Sequence, residues 1–522
     1  MVERRLHVTL VSIAIAAGSL MLAPRTASAF GTPHCTVGQT IPVPIDLTYN
    51  STTHWIVPED LNSVALNANN TYDFHDINAT PAVTGLSFHF SSFQTEVKND
   101  RLEFGLFPTP IIFSGPMGAF DTPPMTNSGS AAGDPWLVDL NYVTDKANPS
   151  QGFTIDSATI TSCATAPIPV QNIYDVAERR VIGILTGTDD TLYYSYPPPK
   201  VVPPGIQLGP QSLHIALTTA PSLTNTNFDI YLSCGSVPTA SSYMVAGVSP
   251  GSQEFIDVLL LTQCLSRWYI AVNSAQGAGA FELNVVYGAD QPVCVRFENG
   301  SFTKAQEDSL RNQVLKSVGG VFGSTGGVVL MTPIQFINDV NADCDNSIIS
   351  NPGATNGFRH VNLKASCGRS STASQEDYGN AHSDLCTDYT LSGGTIGAHR
   401  ILAHEMGHLF WSLPDEYNDA HGAQCGHSMM STADATYYSL CTQWNHTLDP
   451  VMGADAYHDP GQPVSAPPFG DNQSMWNKLV FDQYGPPYTD QVQQADTAEN
   501  YDYLDFNFNA SSTVIDVHNN YQ

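Results

Sequence analysis

The stretch Thr395–Trp411 reads TIGAHRILAHEMGHLFW, and it sets the last part of the chain apart from everything before it. It predicts an α-helix, whereas the segments before residue 291 are typical of strands. A second helix is predicted over Ser301–Gly323, with Ser301 as its cap. The runs VVLMT and FRHVNLKAS predict strands between the two helices. Residues 291–522 are therefore expected to form an α+β domain.

The two preceding blocks are predicted to be all-β. In residues 30–168, partly alternating runs such as LSFHFSSF (Leu86–Phe93) are typical of half-buried antiparallel strands. In residues 169–290, β-like runs follow at regular spacing after the proline-rich linker Ser195–Gly205, which we expect to be stiff. The expected architecture is multidomain: two N-terminal β-sandwiches followed by the α+β domain.

Residues 1–29 have the three parts of a secretory signal peptide. Arg4 and Arg5 form a basic start, Val8–Leu22 is apolar, and Ala27-Ser28-Ala29 provides small residues for cleavage. The apolar stretch is shorter than the ~20 residues that a membrane span requires. We therefore expect a secreted, extracellular protein without a transmembrane segment.

The cysteines agree with export, because an even number, ten, suggests disulfide bonds in a secreted chain. They show no C-x-x-C spacing, which argues against a thiolate zinc site. Proximity along the chain suggests the pairs Cys425–Cys441, Cys367–Cys386 and Cys234–Cys264.

The chain is strongly acidic, with a net charge of -30. Such a surface repels nucleic acid and anionic membranes, so neither is an expected partner. The many carboxylates are suited to binding calcium.

The stretch Ala403–Tyr417, AHEMGHLFWSLPDEY, contains the pattern His-Glu-x-x-His. Residues four apart share one helix face, so His404 and His408 can both reach one zinc ion. Glu405 could then orient and deprotonate a water molecule whose pKa the zinc lowers to ~7. The competing interpretation is a structural histidine pair on an amphipathic helix.

The residues after this motif bear on the third zinc ligand. The strict metzincin pattern H-E-x-x-H-x-x-G-x-x-H/D fails here, because Trp411 and Pro414 occupy its glycine and third-ligand positions. The peptide H-E-x-x-H-L-x-W-x-x-x-D-E-Y-N instead resembles the catalytic domain of the calcium-activated chloride channel regulators, and it is similar to the IgA-peptidase-like metallopeptidases. This resemblance implies a metzincin-like domain with Asp415 as the third ligand. Glu416 is the competing ligand; otherwise it would orient a histidine or cap the turn.

A methionine turn beneath the zinc is a second metzincin feature. The segment CGHSMMS (Cys425–Ser431) resembles it, with Met430 in the methionine position. Met429 and Met452 are alternatives, and an ordinary core methionine is the competing interpretation.

The two β blocks carry resemblances of their own. FSSFQTEVKNDRLEFG, followed by SGP, WLVDLNYVTD and GFTI, resembles a CUB domain. That resemblance implies a calcium site formed by Glu96, Asp100 and Asp145, for which solvated strand ends are the alternative. Trp268–Gly288 resembles the last strands of bacterial pre-peptidase C-terminal domains, which implies an accessory role beside a peptidase.

A further candidate for calcium is the alternating series Asp339, Asn341, Asp343 and Asp345. It lacks the glycine and the final glutamate of an EF-hand loop, so the ligand set is incomplete.

These patterns predict a secreted zinc-dependent endopeptidase acting on protein or peptide substrates, with Zn²⁺ as cofactor and Ca²⁺ as a candidate structural ion. In metzincins the substrate lies antiparallel to an edge strand above the helix, and Phe358–Ser366 is the candidate strand. The β domains would attach the enzyme to a protein or carbohydrate surface, or shield its cleft. The alternative is a secreted adhesion or binding protein whose zinc site is self-cleaving or structural. Glu405 argues against a structural zinc, which needs no base.

Overall fold

The computed structural model describes residue 30 and most of residues 34–348, together with shorter segments further along the chain. Those segments are 358–365, 371–372, 382–386, 398–411 and 513–515. The longer gaps before residue 348 are 49–70, 127–135, 144–151, 165–172 and 199–211. The predicted signal peptide lies outside the described residues.

The first block is a β-sandwich. Its strands are β1 (Thr40–Thr48), β2 (Thr71–Ala79), β3 (Val83–Gln94), β4 (Arg101–Gly105), β5 (Ile111–Phe113), β6 (Phe120–Asp121), β7 (Met125–Thr126), β8 (Trp136–Val143) and β9 (Gly152–Cys163). One sheet has the order β1-β9-β3-β6 with β7 also paired to β3, and the other contains β2-β8-β4-β5. Side chains from both sheets share one core, in which the rings of Phe88 and Phe104 meet edge to face at 5.1 Å.

The second block is also built from two sheets. Its strands are β10 (Ile173–Asp175), β11 (Arg180–Leu185), β12 (Thr191–Tyr196), β13 (Ser212–Thr218), β14 (Asn227–Cys234), β15 (Val245–Gly247), β16 (Glu254–Leu259), β17 (Trp268–Gln276) and β18 (Gly279–Phe297). The orders are β10-β12-β17-β14-β15 and β11-β18-β13-β16. Buried side chains such as Trp268 and Phe281 fill the core between them. Ser195 and Tyr196, predicted as the start of the linker, are the last residues of β12.

The third block differs from the first two because its central strands are parallel. Its elements are α1 (Lys304–Ser324), β19 (Val329–Ile337), a 3₁₀ turn at Asn346–Ile348, β20 (Arg359–Lys364), β21 (Ser371–Thr372), β22 (His382–Cys386), α2 (Ala398–Trp411) and β23 (Val514–Ile515). Strands β19, β18, β20 and β22 run parallel, and β23 and β21 pair antiparallel at the two ends. Helices α1 and α2 pack against each other. The described chain as a whole is mostly strand.

One strand connects the second and third blocks. The first half of β18 pairs antiparallel with β11 and β13, and its second half pairs parallel with β19 and β20. The predicted boundary between residues 290 and 291 therefore falls inside a continuous strand. Strand β11 also pairs in parallel with β2, which joins one sheet of each sandwich.

Helix α1 forms as predicted but is capped by a different residue. Thr303 Oγ1 accepts a hydrogen bond of 3.3 Å from the Gln306 amide, and Gln306 Oε1 accepts one of 2.9 Å from the Thr303 amide. This reciprocal pair is a capping box, which satisfies two backbone donors at once. The prediction that Ser301 caps the helix is wrong, because the helix starts at Lys304 and Thr303 occupies the capping position.

Three disulfides lie within the described part of the chain: Cys35–Cys163, Cys234–Cys264 and Cys294–Cys344. The Cys234–Cys264 prediction is confirmed. The other two bonds join cysteines 128 and 50 residues apart, which proximity in sequence could not indicate. Cys367, Cys425 and Cys441 lie outside the described residues, so the other two predicted pairs stay predictions.

No helix in the described residues is long and apolar enough to cross a membrane.

Candidate functional site

The His-Glu-x-x-His motif lies on α2, as the sequence predicts. His404 is half-buried and Glu405 is buried, with 6% of its surface exposed. Ala403, Met406 and Leu409 on the same helix are buried and form its apolar side. His408 lies one helical turn beyond His404, about 6 Å along the axis, and belongs to the same helix.

The helix lies beside a sheet edge. Helix α2 packs against α1 and contacts β22 and β21. Strand β21 pairs antiparallel with β22 through Ser371–Asp384 and Thr372–Ser383, and it is the last strand on that side among the described elements. An extended peptide can be added to such an edge by backbone hydrogen bonds.

The predicted edge strand is a different one, and that prediction is wrong. Strand β20, within the predicted run Phe358–Ser366, pairs with β18 on one side and with β22 on the other. It is therefore interior, and its backbone groups are already paired in the sheet. Val361, Asn362 and Leu363 are consecutive and all buried, as expected of an interior strand that is covered on both faces.

The remaining predicted members of the zinc site are Asp415, Glu416 and Met430. All three lie outside the described residues. The choice between Asp415 and Glu416 as third ligand therefore stays a prediction.

Two of the three predicted calcium ligands in the first block lie near one serine. Ser114 Oγ is 2.9 Å from the backbone carbonyl oxygen of Asp100 and 3.3 Å from that of Glu96. Asp100 is fully buried, and Glu96 is half-buried. Asp145, the third predicted ligand, lies outside the described residues. The structure thus brings the strand end of Glu96 and Asp100 next to the Ser114–Pro116 turn.

The acidic series from Asp339 to Asp345 has other roles in the fold. Asp339 Oδ1 accepts a hydrogen bond from the amide of Asn341, and Asp345 Oδ1 accepts one from the amide of Ser347, each at 2.9 Å. Asp343 pairs with Arg296 at 2.8 Å. Hydrogen bonds from the side chain and then from the amide of Ser347 lower the pKa of Asp345. These contacts stabilise a loop, and among the described residues the series forms no group of three ligands close enough to hold a metal ion.

A cluster that the sequence analysis missed lies between the second and third blocks. His214, Asp257 and Asp290 each offer one ligand atom, and these atoms all lie within 4.8 Å of one another. Burial lowers the pKa of His214, but the two aspartates outweigh it and the pKa is raised. The only sequence signal was that His214 and Asp257 each interrupt an apolar strand run, LHIAL and FIDVL.

Comparisons with known proteins give no family for this chain. No protein-family profile matches it, and no curated protein matches it in sequence.

Searches of solved structures give weak likenesses. The pre-peptidase C-terminal domain of a collagenase from Bacillus anthracis is 17% identical, over 23% of this chain and 99% of its own, with a TM-score of 0.17. The CUB1-EGF-CUB2 region of human MASP-1/3 is 9% identical, over 48% of this chain and 100% of its own, with a TM-score of 0.15. A turret protein of Sulfolobus turreted icosahedral virus is 11% identical, over 48% of this chain and 99% of its own, with a TM-score of 0.12.

The collagenase structure is a pre-peptidase C-terminal domain, the family that the second β block resembles in sequence. The MASP-1/3 structure contains CUB domains, the family that the first β block resembles. At these TM-scores the likenesses carry no argument about the fold. Any function for this chain therefore rests on its own residues.

Proposed function

We propose that this protein is a secreted zinc-dependent endopeptidase. The proposal rests on the position of the motif. Half-buried His404 and buried Glu405 are neighbours on α2, and α2 contacts β21, the last described strand on that side of the sheet. A histidine pair that only stabilised a helix would need neither an acidic neighbour nor a position beside the last described strand of the sheet.

The residues on α2 suit a zinc ion. Imidazole nitrogens one helical turn apart are common zinc ligands, and His404 is partly accessible to solvent. His408 would be the second ligand. By the resemblance of the following peptide, Asp415 would be the third, with Glu416 as its competitor and Met430 in the turn beneath the metal.

Zinc, when bound, supplies a Lewis acid that polarises the scissile carbonyl and makes water more acidic. Glu405 would take the proton of the attacking water and deliver it to the leaving amine. Its buried position restricts its rotamers, which holds the carboxylate in one orientation for both transfers. The backbone of β21 would align the substrate as an additional antiparallel strand.

The two β-sandwiches would attach the enzyme to a protein or carbohydrate surface, or cover its cleft. A calcium ion held by Glu96, Asp100 and Asp145 would stiffen one end of the first sandwich. Disulfides within the described chain are compatible with export.

The test is zinc content together with cleavage of a mixed peptide library. Three variants accompany the wild type: Glu405→Gln, which removes the base but keeps the size; His404→Ala, which removes a ligand; and His399→Ala, a histidine on the same helix outside the motif. The expected result is cleavage by wild type and His399→Ala, and none by the other two. Glu405→Gln should bind as much zinc as wild type, and His404→Ala should bind less.

Two outcomes would overturn the proposal. A single internal cut in the protein's own chain, with no cleavage of added peptides, would favour the self-cleaving adhesion protein. If all four proteins bound the same amount of zinc per chain and none cleaved peptides, His404 would not be a zinc ligand, and the histidines of α2 would have a structural role.

A further inference from the structure

We propose that His214, Asp257 and Asp290 form a second metal site, for a divalent transition metal such as zinc, at the junction between the second β-sandwich and the α+β domain. It is independent of the His-Glu-x-x-His motif and does not rest on the proposed peptidase function.

The three side chains come from adjacent strands of one sheet. His214 on β13 lies directly opposite Asp257 on β16, so both side chains point to the same face. Asp290 lies on β18, the other neighbour of β13, just beyond the last pair that these two strands form. The exposed fractions of the three side chains are 0%, 1% and 2%.

The histidine is held with one nitrogen directed at the carboxylates. Nδ1 lies 2.6 Å from the carbonyl oxygen of Gly327, which can only accept, so Nδ1 must carry a proton. Nε2 therefore has its lone pair available whenever the ring is neutral. A metal-binding histidine is commonly oriented in this way by a carbonyl on its other nitrogen.

The distances from Nε2 favour ligands of a common ion over a hydrogen bond. Nε2 is 3.5 Å from Asp290 Oδ1 and 3.9 Å from Asp257 Oδ1. Both exceed the usual 2.7–3.2 Å of an N–H···O bond, and Nε2 has no hydrogen bond of ordinary geometry among the described residues. Two ligands on one tetrahedral zinc, at bonds of ~2.0–2.2 Å, are about 3.3–3.6 Å apart, so the distance to Asp290 fits directly, whereas the carboxylate of Asp257 would have to move slightly closer.

The surroundings complete the site. Ser212 Oγ donates a hydrogen bond of 2.9 Å to Asp290 Oδ2, which turns the other oxygen of that carboxylate toward the histidine. The rings of Phe255 and Phe322 lie 6.2 and 5.8 Å from the imidazole ring and make the environment apolar. One neutral imidazole and two carboxylates carry a charge of −2, which matches a divalent cation. A mixed nitrogen and oxygen set favours a transition metal over calcium.

A metal here would couple the two domains. Its ligands belong to the sheet of the second sandwich, whereas Phe322 and Gly327 belong to the end of α1 and the turn that follows. Because α1 packs against α2, the ion would stabilise the platform on which the His-Glu-x-x-His helix rests.

The experiment uses the full chain with His404→Ala, which leaves the buried cluster intact. Metal content is measured by mass spectrometry after equilibration with zinc and removal of excess, and the melting temperature is recorded with and without chelator. The expected result is one zinc per chain in His404→Ala and a melting temperature that falls when the chelator removes it. Adding Asp257→Asn should abolish the bound zinc and the effect of the chelator on the melting temperature. Adding His89→Ala, at an exposed histidine–aspartate pair, should leave both the zinc content and the chelator effect unchanged.

The proposal would be overturned if the His404→Ala protein bound no zinc and its melting temperature did not change with chelator. That outcome can be judged even if the Asp257→Asn variant fails to fold. Retention of zinc by a folded double variant would overturn it as well. Neither result bears on peptide cleavage by the wild type, so the two proposals can fail separately.

Discussion

The backbone carbonyl of Gly327 and Nδ1 of His214 are 2.6 Å apart, and this hydrogen bond joins the turn after α1 to strand β13. Gly327 also donates its amide to Phe322 O at 2.7 Å, near the end of the helix. The same residue therefore closes the turn that follows α1 and connects the second and third blocks.

Gly327→Ala is expected to be strongly destabilising. Gly327 has φ +81°, and an added Cβ would lie 2.9 Å from Asn284 Nδ2 and 3.0 Å from Val286 Cγ1. Backbone strain and overpacking together should lower the free energy of unfolding by about 2–4 kcal/mol. The matched control is Gly300→Ala, where φ is +69° but nothing lies within 4 Å, so only ~1 kcal/mol is expected. Urea denaturation measures both, and equal losses would contradict the close packing at Gly327.

Glu254→Gln is expected to stabilise the protein at alkaline pH. Burial, with a smaller contribution from Asp229, raises the pKa of Glu254 to about 8 from an ordinary value of 4.5. Between these values the folded state holds a proton that the unfolded state has lost, so this carboxyl makes stability fall as pH rises.

Gln keeps the oxygen that accepts a 2.6 Å hydrogen bond from Ser249 Oγ but does not titrate. The variant should match the wild type near pH 4.5 and exceed it at pH 8 by about 2–4 kcal/mol. Melting temperatures across this range test the prediction, with Glu103→Gln, in a half-exposed ion pair with Arg101, as the control. A constant difference at all pH values would contradict it.

Replacing Cys294 and Cys344 by serine is expected to weaken the third block. The bond closes a span of 50 residues that contains α1 and β19, and its loss should cost about 4 kcal/mol by the chain-entropy estimate. The comparison is the Cys234 and Cys264 pair, which closes 30 residues in the second sandwich. Hydrogen exchange should accelerate in β19 for the first variant and in β14 for the second. Unchanged exchange in β19 would show that the sheet, not the disulfide, holds this strand.

Calcium is expected to raise the melting temperature through Asp100. Saturating an extracellular site of this kind needs about 5 mM Ca²⁺. The wild type should melt several degrees higher in calcium than in chelator, and Asp100→Asn should lose that difference. Asp121→Asn, at a carboxylate that is 74% exposed, should keep it. If calcium stabilised all three proteins equally, the ion would be bound elsewhere.

Several features followed from local sequence alone. Alternating runs marked strands such as β3 and β8, and apolar spacing marked α1, because period 2 and period 3.6 are set by neighbours along the chain. The His-Glu-x-x-His spacing likewise predicted that both histidines lie on one helix, and α2 contains them. The cap of α1 is also encoded locally, since Thr303 and Gln306 stand at capping-box spacing and form that motif in the structure.

Tertiary structure alone decided which strands became neighbours. The run FRHVNLKAS is typical of a strand, but its composition does not distinguish an edge strand from an interior one. Strand β20 is interior because it pairs with β18 and with β22, and β21 is the last described strand on that side of the sheet. His214, Asp257 and Asp290 are distant in sequence and share no motif, and only the register of three strands brings them together. Local propensity acts over a few residues, whereas strand order depends on the packing of the whole sheet, and a single sequence does not record that packing.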